Sequence, residues 1–271
     1  MSDRVRVDRE GPVALVCLTR AQQHNGMDFR MLDAVRRAAR LLRKDRQVRA
    51  VIIHGEGPSF CAGLDVKSVL GNPGSAAVGL ASLFSPGRNR FQEWSMAWRE
   101  VPAPVIAAIH GNCFGAGLQL ALGADIRLAT PDARLAVMEV KWGLVPDMGG
   151  AALLRELVPI DVAKELAMTG RIVSGTEAHA LKLVTRVTEA PLEQARALAA
   201  EIATRSPDAV AAAKFLLQAS WHAGEAEALA AERQWQRRVI GGRNQRIAVR
   251  RNAPRSPEQP ELPFVPRRIG S

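Results

Sequence analysis

Three places in the chain combine residue types suited to proton transfer and carbonyl chemistry. The first is Glu139, in the run Val137-Met138-Glu139-Val140, followed by Lys141-Trp142-Gly143-Leu144-Val145-Pro146-Asp147-Met148-Gly149-Gly150. A carboxyl among apolar neighbours is desolvated, which raises its pKa and suits it to take a proton from a carbon acid. The competing reading pairs Glu139 with Lys141 or an arginine at the surface. The other two places are glycine-bearing turns, Cys61-Ala62-Gly63 after Val51-Ile52-Ile53 and Gly115-Ala116-Gly117 after Val105 to Ile109. Small residues let a ligand approach the main chain closely, and a helix start leaves N–H groups without intrahelical partners. Two such donors aimed at one point would stabilise a developing enolate oxygen, and losing one such donor costs about 10²–10³ in rate. Either turn taken singly reads first as a tight strand–helix junction and only secondly as a functional site.

Other chemistries find less support. The three cysteines, Cys17, Cys61 and Cys113, have no metal-ligand spacing, and each sits in an apolar context. Cys61 and Cys113 stand near glycines, which leaves a catalytic thiol as a minor alternative. The five histidines form no pair at metal spacing, so no metal is expected. The net charge of +10 raises nucleic acid as a partner, with the densest run of arginines between Arg233 and Arg268. Tyrosine is absent and aromatic residues make up 4%, a poor base-stacking platform, so a small polyanion is the better functional match. No apolar run reaches the roughly 18 residues of a membrane span, and Met1 to Arg6 lacks the apolar core of a secretory signal. A cytoplasmic location is the resulting expectation.

Elements that would position these residues follow from periodicity. Val13 to Leu18 and Val48 to His54 read as buried strands, and Asp28 to Asp45 as an amphipathic helix capped by Asp28. Residues 71–89, rich in Gly, Ser, Pro and Ala, read as a loop or short-helix insertion; Phe84, Phe91 and Trp94 around it are candidates for an acyl tunnel or for core. A helix is expected over 90–100, a strand over Val105 to Ile109 and a helix from Leu118 to Leu122. After short strands at Ile126 to Ala129 and Leu135 to Val137 the chain turns mainly helical beyond Pro146. Strands alternating with helices indicate an α/β class. From Asn252 onward the Pro- and Arg-rich tail is expected to form no regular element.

Phe60-Cys61-Ala62-Gly63-Leu64-Asp65, Gly111 to Leu122, Asp125-Ile126-Arg127, and Met138-Glu139 with Gly143 to Pro146 and Gly149-Gly150 together resemble, in order and spacing, the signatures of the enoyl-CoA hydratase/isomerase (crotonase) family. Leu18, Arg20, Asn25, Met27 and Asp28 match as well, and the resemblance spans roughly residues 5–255. It implies a spiral of ββα units over residues 1–200, and a C-terminal helical oligomerisation region with an Arg/Pro-rich tail over 201–271. It also implies a homotrimer or a hexamer made of two trimers. The substrate would be an acyl-CoA thioester, with no cofactor beyond the coenzyme A of that substrate. By position, Ala62 and Ala116 would supply the oxyanion-hole N–H groups and Glu139 the catalytic carboxylate. Cys61, Gly63, Leu64, Asp65, Lys67, Gly115, Gly117 and Trp142 would meet the substrate and its coenzyme A.

One departure bears on the reaction. Hydratases resembling this chain carry a second glutamate where Gln119 stands, and an amide cannot take a proton from water at neutral pH. Moving a double bond needs only one base, so isomerisation by Glu139 is favoured, with 2-enoyl-CoA hydration as the alternative. A basic nucleic-acid-binding protein on the same scaffold is the rival of a different class. Asp147 resembles the proton-shuttling aspartate of dienoyl-CoA isomerases, although the partner aspartate of those enzymes would fall at Gln119. Asp147 reads equally as the N-cap of a helix over 150–157.

Overall fold

Each central strand of the molecule is apolar on both faces, and this dictates its layers. The computed structural model describes residues 4–66, 68, 73–253 and 262–270. A six-stranded sheet is built from β1 (Val5–Glu10), β2 (Val13–Leu18), β3 (Ala50–Gly55), β4 (Val105–Ile109), β6 (Ile126–Ala129) and β9 (Arg186–Val187), in that order. β1 and β2 are antiparallel; every later neighbour is parallel. A smaller sheet carries β5 (Asn112–Phe114), β7 (Arg134–Ala136) and β8 (Val173–Ser174). Strands buried on both sides lose the polar alternation of half-exposed ones. Ala14, Val16, Val51, Ile53, Ala107 and Ile109 face the main core together with the helix Phe29–Lys44. Val13, Leu15, Ile52, Ile106 and Leu128 face Ala195 and Ala199 of the helix Pro191–Ala203.

The mixed α/β class and the main elements follow the sequence. Asp28 caps its helix as expected, its side chain accepting the Met31 N–H at 2.7 Å. β1 escapes a reading by apolar runs because Val5–Glu10 carries four charged residues, its outer positions being exposed. The 71–89 region contains a helix, Pro73–Ser82. Phe84 is 85% exposed, whereas Trp94 is fully buried in the core.

Beyond β9 the described residues hold only helices and irregular chain, chiefly Pro207–Ser220, Glu225–Val239 and Arg243–Asn252. The tail segment 262–270 is irregular, as expected, but it is tied down. Arg267 is buried; its N–H reaches Arg46 O at 2.9 Å and its guanidinium reaches Asp45 O at 2.8 Å. Buried Asp208 accepts N–H groups of Arg268 (2.6 Å) and Ile269 (3.0 Å) and the Asn244 amide (2.9 Å). Asp208→Ala strands three donors, each of which costs about 1–3 kcal/mol when buried without a partner. A loss near 3 kcal/mol is expected, allowing for partial rehydration. It should appear as a lower urea midpoint, and an unchanged midpoint would show that the tail does not brace the fold.

Candidate active site

The three places singled out in the sequence lie far apart along the chain and are stitched together by short strand pairings. Cys61 bridges Cys113 in parallel, with Cys61 N–H donating to Asn112 O at 3.0 Å and Phe114 N–H to Cys61 O at 3.0 Å. Phe114 in turn pairs with Ala136, and Gly115 N–H donates to Ala136 O at 2.9 Å. Ala136 leads within three residues to Glu139, which opens a 3₁₀ turn, Glu139–Trp142. Gly117 permits this stacking, since a Cβ there would overlap the Cys61 carbonyl. At Gly63, which has φ +95°, a Cβ would meet Phe114 O at 2.8 Å and Ala116 N at 3.8 Å.

The first turn corrects one expectation. The Ala62 N–H donates to His24 O at 2.9 Å and is therefore spent inside the fold. The backbone of Gly63 lies close enough to the Cys61 thiol to act against the larger effect of burial on its pKa. Among the described residues no protein acceptor takes the N–H of Leu64 or that of Ala116, the first residue of the helix Ala116–Leu122. Spacing alone could not separate Ala62 from Leu64, because the difference is a long-range bond to the loop around His24. That loop is held by Arg20, whose N–H donates to Asn25 Oδ1 at 2.8 Å while Asn25 reaches Ser59 O at 2.7 Å.

Several other expected site residues serve as frame. Asp65 binds Arg20 at 2.9 Å and accepts from the Ser68 hydroxyl at 2.6 Å. Burial alone would raise this carboxyl, but the Ser68 and Arg20 contacts outweigh it and hold it below its usual range. The Cys61 thiol is fully buried, and desolvation pushes its pKa up to about 12, so it offers no thiolate. Cys113 is raised well above its ordinary value by the same cause. Lys67 lies outside the described residues. Trp142 is 63% exposed beside the Glu139 turn. Two braces had no sequence signal: Trp94 Nε1 donates to Ala116 O at 2.7 Å, and the Ser95 hydroxyl donates to Met148 O.

Glu139 is buried, which removes the reading that pairs it with Lys141 or an arginine at the surface. Its Oε1 accepts from Gln119 Nε2 at 2.6 Å, and its Oε2 has no protein donor among the described residues. A Cβ on Gly115 would stand 3.3 Å from Oε1, so the carboxylate lies directly over the second turn. Burial, and then the nearby charge of Asp147, raise the Glu139 pKa above the ordinary glutamate value. Gln119 is oriented without ambiguity. Its Oε1 accepts the N–H groups of Met148 (2.8 Å) and Gly150 (2.9 Å), so its amide nitrogen must face Glu139.

Asp147 sits on this same loop. It is not a helix cap: Gly149 occupies that position for Gly150–Leu154, with no side-chain cap. Its carboxyl reaches solvent, yet enough protein surrounds it that desolvation raises its pKa. Among the described residues no group of three His, Cys, Asp or Glu is placed to hold a metal, and no helix is long and apolar enough to cross a membrane. The ensemble can therefore present N–H groups to a carbonyl oxygen and one raised carboxylate to an adjacent C–H.

Known proteins resemble this chain over most of its length. Residues 8–251 match the family model described as enoyl-CoA hydratase/isomerase. A carnitinyl-CoA dehydratase of Salmonella typhi is 35% identical over 223 residues, 81% of this chain and 82% of that protein. An enoyl-CoA hydratase of Mycobacterium smegmatis superposes with a TM-score of 0.81 at 31% identity, covering 91% of this chain and 95% of the other. An enoyl-CoA hydratase of Bacillus anthracis gives 0.83 at 29% identity, with coverages of 91% and 95%.

Proposed function

Because the chain belongs to the enoyl-CoA hydratase/isomerase family, we propose that it moves the double bond of an enoyl-CoA, with Glu139 as the single proton carrier. The observation that carries this reading is the Gln119 amide, locked with its nitrogen toward Glu139 Oε1. A water held there would meet one carboxylate and a fixed N–H donor, so only Glu139 can take a proton.

In this mechanism the thioester carbonyl accepts hydrogen bonds from the N–H groups of Leu64 and Ala116. Charge that develops on its oxygen as the C–H bond breaks is stabilised by donors already in position. Glu139 removes the proton through Oε2, the oxygen without a protein donor among the described residues, and returns it to the far end of the dienolate. The Gln119 hydrogen bond keeps Glu139 in one rotamer, which makes Gln119 a positioning group. Gly63 and Gly117 let the two turns pack closely enough for both N–H groups to serve one carbonyl; Trp142 and the turn around Asp65 border the entrance. Coenzyme A enters as part of the substrate, and no separate cofactor takes part. Assembly as a trimer or a pair of trimers belongs to the same reading.

Reversible hydration is the second reading, favoured by the relative named a carnitinyl-CoA dehydratase and by Asp147. That carboxyl is close enough for its charge to raise Glu139, and it could replace the missing glutamate as the second acid. Supplying 3-enoyl-CoA and 2-enoyl-CoA separately, with products read by mass spectrometry, separates the two. Isomer formed without mass change is the expected result. Gain of one water from the 2-enoyl substrate at a comparable rate would replace isomerisation by hydration.

A further inference from the structure

The orientation of the Gln119 amide is set by two N–H groups, those of Met148 and Gly150. The chain that leads to them has no regular structure of its own. Residues 143–149 form neither helix nor strand, and Leu144 and Val145 are exposed. Such a segment holds its place only where contacts from outside it fix the backbone. One such contact comes from the helix Glu93–Arg99. Ser95 is fully buried on that helix, and its hydroxyl donates to Met148 O, an oxygen that no backbone N–H reaches among the described residues. Two glycines clear the space for it. Gly149, with φ +86°, curls around the hydroxyl, so a Cβ there would stand 2.7 Å from Ser95 Oγ, and a Cβ on Gly123 would overlap Ser95 O.

The peptide that Ser95 holds lies between the two that orient Gln119. Its neighbours on either side carry the Met148 and Gly150 N–H groups, so one hydrogen bond fixes both donors. The contacts then run from Ser95 Oγ to Met148 O, from the Met148 N–H to Gln119 Oε1 at 2.8 Å, and from Gln119 Nε2 to Glu139 Oε1 at 2.6 Å. The preceding residue of the same helix serves the other half of the site, since Trp94 Nε1 donates to Ala116 O. A helix that needed only to pack could carry alanine at position 95, because a buried hydroxyl adds a desolvation cost that its bond must offset. Without the Ser95 bond the two N–H groups lose their fixed direction. The Gln119 amide can then turn its oxygen toward the Glu139 carboxylate, where two acceptors repel and the base leaves its working rotamer.

We propose that Ser95 is a positioning residue for the proton transfer, acting on Glu139 through Met148 and Gln119; this rests on Glu139 being the proton carrier. The test is steady-state kinetics of Ser95→Ala in the full chain, alone and in a Gln119→Met background, with 3-enoyl-CoA and 2-enoyl-CoA supplied separately. Urea midpoints establish that each variant compared is folded. Ser95→Ala should lower kcat about tenfold, given that a misplacement of about 1 Å costs about 10² in rate. KM should stay within about twofold, because the N–H groups of Leu64 and Ala116 that receive the thioester remain in place. In the Gln119→Met background the same change should cost less than about twofold, since the amide it orients is gone and the two effects no longer add. Ser95→Cys keeps a weaker donor and should lose about threefold in kcat; it carries the test if Ser95→Ala does not fold. A folded variant with kcat within about twofold of wild type, a loss that falls on KM, or the full loss repeated in the Gln119→Met background would each overturn the assignment. Failure of the underlying reading shows elsewhere, in the product that the wild-type enzyme forms and in the turnover of Glu139→Gln. The ratio of each Ser95 variant to wild type is taken on whichever product forms, so the two failures are distinct.

Discussion

Glu139→Gln is expected to lower kcat/KM for enoyl-CoA isomerisation by about 10²–10⁴, the range a positioned general acid–base supplies. The substitution keeps the shape of the side chain and removes only its basicity. The remaining contacts do not depend on that charge: the Gln119 amide can still donate to an amide oxygen at position 139, and the Met148 and Gly150 N–H groups remain bound to Gln119. Binding of substrate should thus change little, with the loss falling on kcat. In the wild-type enzyme the base works as its carboxylate, so activity must rise with pH through the Glu139 pKa. Burial and Asp147 both raise that pKa, so the acid limb of the kcat/KM profile should lie above the ordinary glutamate range. Near wild-type turnover by Glu139→Gln would remove Glu139 from the mechanism. An acid limb at or below the ordinary range would contradict the desolvated setting.

Gln119→Glu should raise hydration of 2-enoyl-CoA by about 10² or more, because it restores a second group able to exchange a proton with water. The surroundings are suited to the change. Met148 and Gly150 N–H groups already point at one oxygen of residue 119 and would stabilise a carboxylate there. The other oxygen would replace Nε2, 2.6 Å from Glu139 Oε1. Two carboxylates at that distance cannot both be charged, so one proton is shared and the pair titrates as a unit. With position 119 held ionised by two N–H groups, the proton resides mainly on Glu139, which becomes the acid while residue 119 becomes the base. Isomerisation, which needs Glu139 as its base, should then show an acid limb moved up relative to wild type, whereas hydration, which needs Glu139 protonated, should fall off only as Glu139 ionises on the alkaline side. If hydration stays at the wild-type level in a folded variant, the identity of residue 119 does not set the reaction, and Asp147 becomes the better candidate for the second acid.

The Asp208→Ala experiment probes a part of the molecule that local sequence patterns describe least. Residues 262–270 carry no periodic pattern, and what holds them is hydrogen bonding to positions as distant as Asp45 and Arg46. Patterns of spacing report on contacts within a turn or a strand, and they are blind to a partner two hundred residues away.

The sequence by itself determined the α/β class, the buried strands, the Asp28 cap, the three chemical motifs and the replacement of a second carboxylate by Gln119. Each of these is a local property, set by residue type or by a repeat of two or 3.6 positions. Tertiary structure alone decided which atoms are free to act. It gave the Ala62 N–H to His24 and left those of Leu64 and Ala116 without acceptors among the described residues, it turned the Gln119 nitrogen toward Glu139, and it moved the Gly150–Leu154 cap from Asp147 to Gly149. A hydrogen-bonding group is available only when nothing else in the fold satisfies it, and that depends on the whole chain at once.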